Sequence, residues 1–256
     1  MSVTNYAQVN GIHLYYEIHG EGKPLVLIHG GGSTITTSFG VLLPMLAEEY
    51  KVIAVELQAH GHTSDRDAPE SFVQDADDVA ALLQQLNISK ANVLGFSNGG
   101  STAMQIAIRH PEIVDKIIVI AGAFKRDGFI KGFFEGMEYA TLDNMPQSLK
   151  DAFLKINPDT NALFTMFSKD KQRMIDFKDW NENDIQSIQS PALIINGDKD
   201  VMTNEHALEI SRLIPNSSLV ILPGTHGQCI GEEGTTKPGS VLPQITAMLI
   251  KEFLNG

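Results

Sequence analysis

Short apolar runs alternate along the chain with longer stretches in which apolar positions recur every three to four residues. The runs Pro24–Ile28, Lys51–Leu57, Ala91–Phe96, Lys116–Ala121, Ala192–Asn196 and Ser218–Leu222 are too short for helices and read as strands buried on both faces. Two further extended segments, Tyr6–Val9 and Ile12–Ile18, flank Asn10-Gly11, a pair suited to the positive φ angles of a tight hairpin turn. Between the runs, Ser71–Leu86 places Val73, Ala76, Val79, Ala80, Leu82, Leu83 and Leu86 near a period of 3.6, and Ser71 with Gln74 has the spacing of a capping box. Gly99–His110 (stopped by Pro111), Asn204–Leu213 and Val241–Leu254 read as further helices. Strands alternating with amphipathic helices predict an α/β fold, a mostly parallel, doubly wound sheet with an antiparallel hairpin at its N-terminal end.

From Ala123 to Gln189 the alternation stops. No buried strand is visible there, and helical segments are expected near Phe129–Tyr139, Ser148–Ile156, Ala162–Phe167 and Lys169–Trp180. A structureless loop of about 65 residues is improbable in a packed domain. The stretch therefore reads as a helical lid inserted after the sixth strand, dividing the chain into a core of residues 1–122 and 190–256 and a lid of residues 123–189. Eight of the 12 Phe lie in this stretch, so part of the lid faces the cleft beneath it. Phe96, Phe133, Phe134, Met137, Phe164 and Phe167 are the candidates for lining a substrate.

Composition narrows the function classes. A formal net charge of −12 lacks the basic footprint of a nucleic-acid binder and argues against docking on anionic membranes. The single cysteine, Cys229, excludes an internal disulfide framework and cysteine-based zinc ribbons. The N-terminal residues show neither a basic n-region nor an apolar h-region, and no apolar run reaches the ~20 residues of a spanning helix. A cytoplasmic setting is the expectation, with a small-molecule substrate, no membrane or nucleic-acid partner, and a monomer or homodimer.

The strongest chemical signal is Gly95-Phe96-Ser97-Asn98-Gly99-Gly100, placed where a buried strand meets a helix. A serine in this sharp turn projects its hydroxyl above the sheet edge, and side chains at 95 and 99 would collide with the turn. The helix that follows favours developing negative charge near the serine. His29-Gly30-Gly31-Gly32 follows the first buried run, and its backbone N–H groups can face a cavity unobstructed. Gly31 with Asn98 are the expected oxyanion donors, and Gly32 is the fallback. A serine needs a base and the base an orienting group. His226, on the loop after the last apolar run, is the expected base. Ile195-Asn196-Gly197-Asp198-Lys199-Asp200 offers two carboxylates; Asp200 is preferred over Asp198, because the turn needs about three residues before a side chain can swing back beneath the imidazole.

The chain order Ser97, Asp200, His226 makes the sequence resemble an α/β-hydrolase fold protein of the lidded, serine esterase-like branch, over nearly its whole length. Members commonly carry Asp-x-x-Gly-x-Gly-x-Ser after the second buried strand. Here that segment is Glu56-Leu57-Gln58-Ala59-His60-Gly61-His62-Thr63-Ser64, with Glu56 and Ala59 departing from the pattern. Gly197-x-x-Asp200 fits the family, although Thr203 stands near where a proline is usual. The loop Gly227–Gly239 is long and lacks the usual Glu-x-Pro. The resemblance implies a serine hydrolase acting through an acyl-enzyme, with no metal and no organic cofactor, and a partly apolar carboxylic ester as substrate. The same triad serves lactone, amide and carbon–carbon bond hydrolysis or peracid formation, and a non-catalytic ligand receptor can keep the fold. Asp75, Asp77 and Asp78 read as charges suited to the N-terminal half of their helix. His60-Gly61-His62 lacks a third ligand at metal spacing, and Cys229 lacks an elbow.

Overall fold

The computed structural model describes residues 2–256. Strands β1 (Ser2–Val9) and β2 (Ile12–His19) form the hairpin, paired from Val9↔Ile12 out to Ser2↔His19. Its turn holds Asn10 at φ 41° and Gly11 at φ 89°, the left-handed pair that matches the strands' twist. β3 (Lys23–Ile28) follows, then two short helices, α1 (Ile35–Phe39) and α2 (Leu42–Leu46), then β4 (Tyr50–Val55). Next come α3 (Phe72–Gln85), β5 (Ala91–Phe96), α4 (Asn98–Arg109) and β6 (Val114–Ile120). Four helices, α5 (Phe133–Tyr139), α6 (Gln147–Ile156), α7 (Thr160–Ile175) and α8 (Glu182–Gln186), precede β7 (Ala192–Gly197). α9 (Asn204–Leu213), β8 (Ser217–Leu222) and α10 (Leu242–Asn255) complete the chain.

The eight strands form one sheet in the order β1-β2-β4-β3-β5-β6-β7-β8. β1–β2 and β2–β4 are antiparallel and the remaining pairs parallel. Alternate residues of each central strand enter opposite cores. Val26, Ile28, Val93, Ile117, Val119 and Ile194 pack with α3, α4 and α9. Leu25, Leu27, Leu94, Ile118, Ile120 and Ile195 pack with α1, α2 and α10. This two-sided burial is why the central strands read as continuous apolar runs rather than alternating ones.

Two expectations need correcting and a third extending. The run Ser218–Leu222 is not buried on both sides: β8 is the sheet's edge, and Ile221 is 39% exposed. The segments Ala162–Phe167 and Lys169–Trp180 merge into one helix, α7, which runs through Ser168 and stops at Ile175, short of Trp180. Its inner face carries Leu163, Met166, Asp170, Arg173 and Met174, and the two buried charges break the apolar period that would have revealed it. Asp75 and Asp78 lie in the N-terminal half of α3, where such charges suit the helix, and each is in addition buried, 1% exposed, and ion-paired, to Arg173 and Arg66 respectively.

Candidate active site

β5 ends at Phe96, α4 starts at Asn98, and Ser97 between them has φ 56° and ψ −120°. The turn is this sharp because strand and helix nearly touch. A Cβ on Gly95 would lie 1.9 Å from the Gly99 carbonyl oxygen, and one on Gly99 would lie 2.1 Å from that of Ile28, so only glycine fits either position. The strain at Ser97 lifts its hydroxyl clear of the sheet.

His226, on the loop after β8, places Nε2 3.0 Å from Ser97 Oγ. Its Nδ1 lies 2.7 Å from Asp200 Oδ1. Asp200 is buried and its Oδ1 also accepts the Met202 N–H at 3.2 Å, which fixes the carboxylate. Asp198, the other candidate, is exposed and accepts the Gly224 N–H at 2.7 Å, bracing the base of the His226 loop. Phe96 lies beneath the imidazole, ring centroids 4.7 Å apart. Burial opposes charge on His226, but its hydrogen bond to Asp200 and the negative charge of that carboxylate outweigh it, so the imidazole pKa is raised. Cys229, three residues on, is buried, and its thiol is pushed up to about 12 by burial.

Among the described residues, no protein group accepts from the Gly31 or Asn98 N–H, and both residues line the cavity beside Ser97. The fallback fails. Gly32 N–H donates to the Asp170 carboxylate and is not free to meet an oxyanion. Beneath this loop His29 donates Nδ1–H to the Gly30 carbonyl (2.7 Å) and accepts the Leu57 N–H at Nε2 (3.0 Å). Burial, reinforced by nearby His60, lowers its pKa to about 3, so it stays neutral.

Two cavities meet at Ser97 and His226. The larger, about 430 Å³, is walled by Phe129, Phe133, Phe167, Leu149 and five methionines, Met137, Met145, Met166, Met174 and Met202. The smaller, about 290 Å³, lies against Phe96, Ser148, Glu232, Glu233 and Thr235 and contains no Lys or Arg. Of the expected lining residues, Phe133, Met137 and Phe167 face the larger cavity and Phe96 borders the smaller. Phe134 does not line either; it packs on Phe177 and under the Arg126 guanidinium. Phe164 points outward, 59% exposed, because it lies off the α7 face defined by Met166, Asp170 and Met174. Sequence reasoning missed Asp170, the four methionines other than Met137, and Glu232. For Asp170 no local signal pointed inward: as an acid within the spacing Leu163, Met166, Asp170, Met174 it interrupts the apolar period.

His60 and His62 do not share a ligand. His60 meets Asp170, while His62 meets Glu56, whose Oε2 also accepts the His62 N–H at 2.7 Å. The departures at Glu56 and Ala59 are thus accommodated locally, with Ala59 held at φ 62°.

Residues 23–173 match the family described as the alpha/beta hydrolase fold. Human serine hydrolase BPHL is 30% identical over 238 residues, 85% of this chain and 78% of that protein. The 2-hydroxymuconate semialdehyde hydrolase of a Pseudomonas strain is 27% identical over 242 residues, covering 86% of this chain and 84% of the other. Among solved structures, a serine hydrolase involved in carbazole degradation superposes with a TM-score of 0.81 at 23% identity, spanning 100% of this chain and 99% of that one. No helix among the described residues is long and apolar enough to cross a membrane.

Proposed function

The chain belongs to the alpha/beta hydrolase fold family and is a hydrolytic enzyme; from that premise we propose that it cleaves carboxylic esters through an acyl-enzyme on Ser97. Ser97 Oγ attacks the acyl carbon while His226 Nε2 takes its proton. Asp200 holds the Nδ1–H tautomer and stabilises the imidazolium. The Gly31 and Asn98 N–H groups receive the oxyanion, each such donor being worth about 3 kcal/mol in the transition state. His226 then protonates the departing alcohol, and later deprotonates the water that attacks the acyl-enzyme. The observation that carries the reading is the continuous chain Ser97–His226–Asp200, 3.0 Å and 2.7 Å, beside two unspent backbone donors on one cavity wall.

The methionine-rich cavity suits an apolar acyl or aryl group, since unbranched thioethers reshape around varied chains. The smaller cavity suits a compact neutral or cationic alcohol, because Glu232 and Glu233 border it. Residues 123–189 act as the lid that supplies the apolar wall. Cleavage of a carbon–carbon bond between ketones is the second reading, favoured by the Pseudomonas relative. An anionic keto acid would lack a counter-charge in the smaller cavity, and in the larger one the single cation on the wall among the described residues, Lys171, is tied by two of its three N–H groups to the Glu138 and Ala140 carbonyls. That supports ester cleavage as the first reading.

A panel of p-nitrophenyl esters of increasing acyl length, run beside lactone, amide and ketone analogues, tests the substrate class. Fluorophosphonate labelling tests the nucleophile. Labelling that vanishes in Ser97→Ala, with turnover down by about 10⁶, supports the reading. A wild-type protein that neither labels nor turns over any ester would end it.

A further inference from the structure

The insertion sends one carboxylate into the oxyanion loop. Asp170, on α7, accepts the Gly32 N–H at Oδ2, which also lies 2.9 Å from His60 Nε2. Its Oδ1 accepts from Asn98 Nδ2 at 3.3 Å and pairs with Arg173 Nη2. One side chain therefore grips the residue that follows Gly31 and grips Asn98 itself, the two segments whose N–H groups are unspent. A carboxylate has about four lone-pair sites, and these four donors use them, so Asp170 has no capacity left to anchor a substrate amine.

His60 is held as a cation by its partners. Its Nδ1 faces the Gln58 carbonyl at 2.8 Å and its Nε2 faces the Asp170 carboxylate, two acceptors that favour donation from both nitrogens over the longer approach of the Gly32 N–H to Nε2 at 3.3 Å. Arg173 closes the cluster, with Nη1 2.8 Å from Asp75 Oδ2 and Nη2 3.3 Å from Glu70 Oε2. On the reading that Ser97 is the nucleophile, we propose that Asp170 is a positioning residue for the hydrolysis: it sets both oxyanion donors through Gly32 and Asn98, and the His60 imidazolium offsets its charge while the oxyanion forms.

The need for that offset is electrostatic. Arg173 balances the Asp170 charge only in part, since it also pairs with Asp75 and Glu70, so without His60 the carboxylate would repel the developing oxyanion in a partly dry site. Burial opposes the charge on His60, but the charge and hydrogen bond of Asp170, with Glu70 adding, keep its pKa up to about 9. The other groups facing His60 are the neutral His29 ring, 4.8 Å away, and Arg173, which disfavours the cation. As pH rises through that value, His60 becomes neutral and the rate falls. On the acid side, His226 must lose its proton before it can act as base. The two limbs make a bell.

The test is p-nitrophenyl ester kinetics from pH 6 to 10, with kcat referred to the fraction of Ser97 that a fluorophosphonate can titrate. A purely structural loss lowers that fraction and leaves kcat per labelled site unchanged. His60→Gln keeps a donor toward Asp170 but never carries charge. Its expected kcat at pH 7 is about tenfold down, with KM nearly unchanged and the alkaline limb gone. Asp170→Asn is expected to lower kcat and the phosphonylation rate together, by roughly 10- to 100-fold. An alkaline limb unchanged in His60→Gln, or kcat per site within about twofold of wild type in Asp170→Asn, overturns the positioning role alone. A wild type that the probe does not label overturns the serine-nucleophile reading, and this inference with it.

Discussion

The two sides of the cavity are built in different ways. Ser97, Asp200 and His226 stand on turns just beyond β5, β7 and β8, and the strands beneath them are locked by parallel ladders and by residues such as Leu94, Ile120 and Ile195, each 0% exposed. Their geometry is set by backbone. The opposite wall is set by side chains. Helices α6 and α7 share a small apolar cluster with Ala59 and Met145, built on Phe153, Leu163 and Met166, while Phe133, Phe134 and Met137 of α5 and Met174 of α7 pack on the core at the α1–α2–α10 side of the sheet. Buried and surface charge adds to this hold, through Asp170, Arg173 and Lys169. A site with a rigid reacting centre and an electrostatically fastened wall can keep its chemistry while the wall changes with substrate or pH.

The sharpest way to break this comparison is at Asp200. Asp200→Asn keeps the shape but forces the wrong imidazole tautomer, and turnover should fall by about 10⁴. Asp198→Asn touches only the Gly224 N–H and should cost less than about tenfold. Both follow from kcat measured per titratable Ser97, with melting temperatures recorded alongside. If Asp198→Asn is the more harmful of the two, the orienting group has been misassigned and the rigid side of the site is not the Asp200 turn.

The same contrast explains what could be read from the residues alone. Ser97, His226 and Asp200 lie directly after strands and beside glycines, and both signals are local in sequence. Gly95 and Gly99 had to be glycine for backbone reasons, and such reasons survive in a one-dimensional text. Asp170 has no such mark. It sits 110 positions from His60 and 138 from Gly32, and its meaning depends on how α7 docks. Asp75 read as an ordinary helix-start acid for the same cause: its partner Arg173 is 98 residues away. The exposure of Phe164 was equally hidden, because the buried charges of α7 blurred which helical face turns inward.

The insertion should also loosen first as pH rises. His60, raised to about 9, and Glu70, pushed up to about 8 by burial, both hold protons in the folded state that the unfolded chain has already released. Between pH 7 and about 9 these two groups therefore hold more protons in the native state than in the unfolded one, and stability falls as pH rises. Each such group costs up to about 1.4 kcal/mol per pH unit within its window. His60 contributes full stabilisation only below its unfolded value near 6.5 and loses it through about 9. Hydrogen exchange, corrected for intrinsic rates, should show α7 amides losing protection across this range before β5 amides do. Parallel loss in both would mean that the insertion and sheet open as one unit, and that the distinction between a backbone-set and a charge-set side is wrong.

The smallest expected effect separates buried charge from surface charge within the insertion itself. Lys169 stands one position before Asp170, with Nζ 2.7 Å from both Asp65 carboxylate oxygens and near the Arg66 and Ala68 carbonyls. Counted by contacts it is a strong anchor. Its partner Asp65 has a third of its side chain exposed, however, so water and salt screen the attraction. Lys169→Ala should lower stability by about 1 kcal/mol or less and leave kcat within about twofold. The pair at Arg173 and Asp75, each side chain 3% exposed or less, belongs to the other regime, where removing one partner strands a buried charge. Urea unfolding of Lys169→Ala at low and at high salt decides the point. A loss well above 1 kcal/mol that persists in high salt would show that the outer anchor, not the buried cluster, fastens the wall.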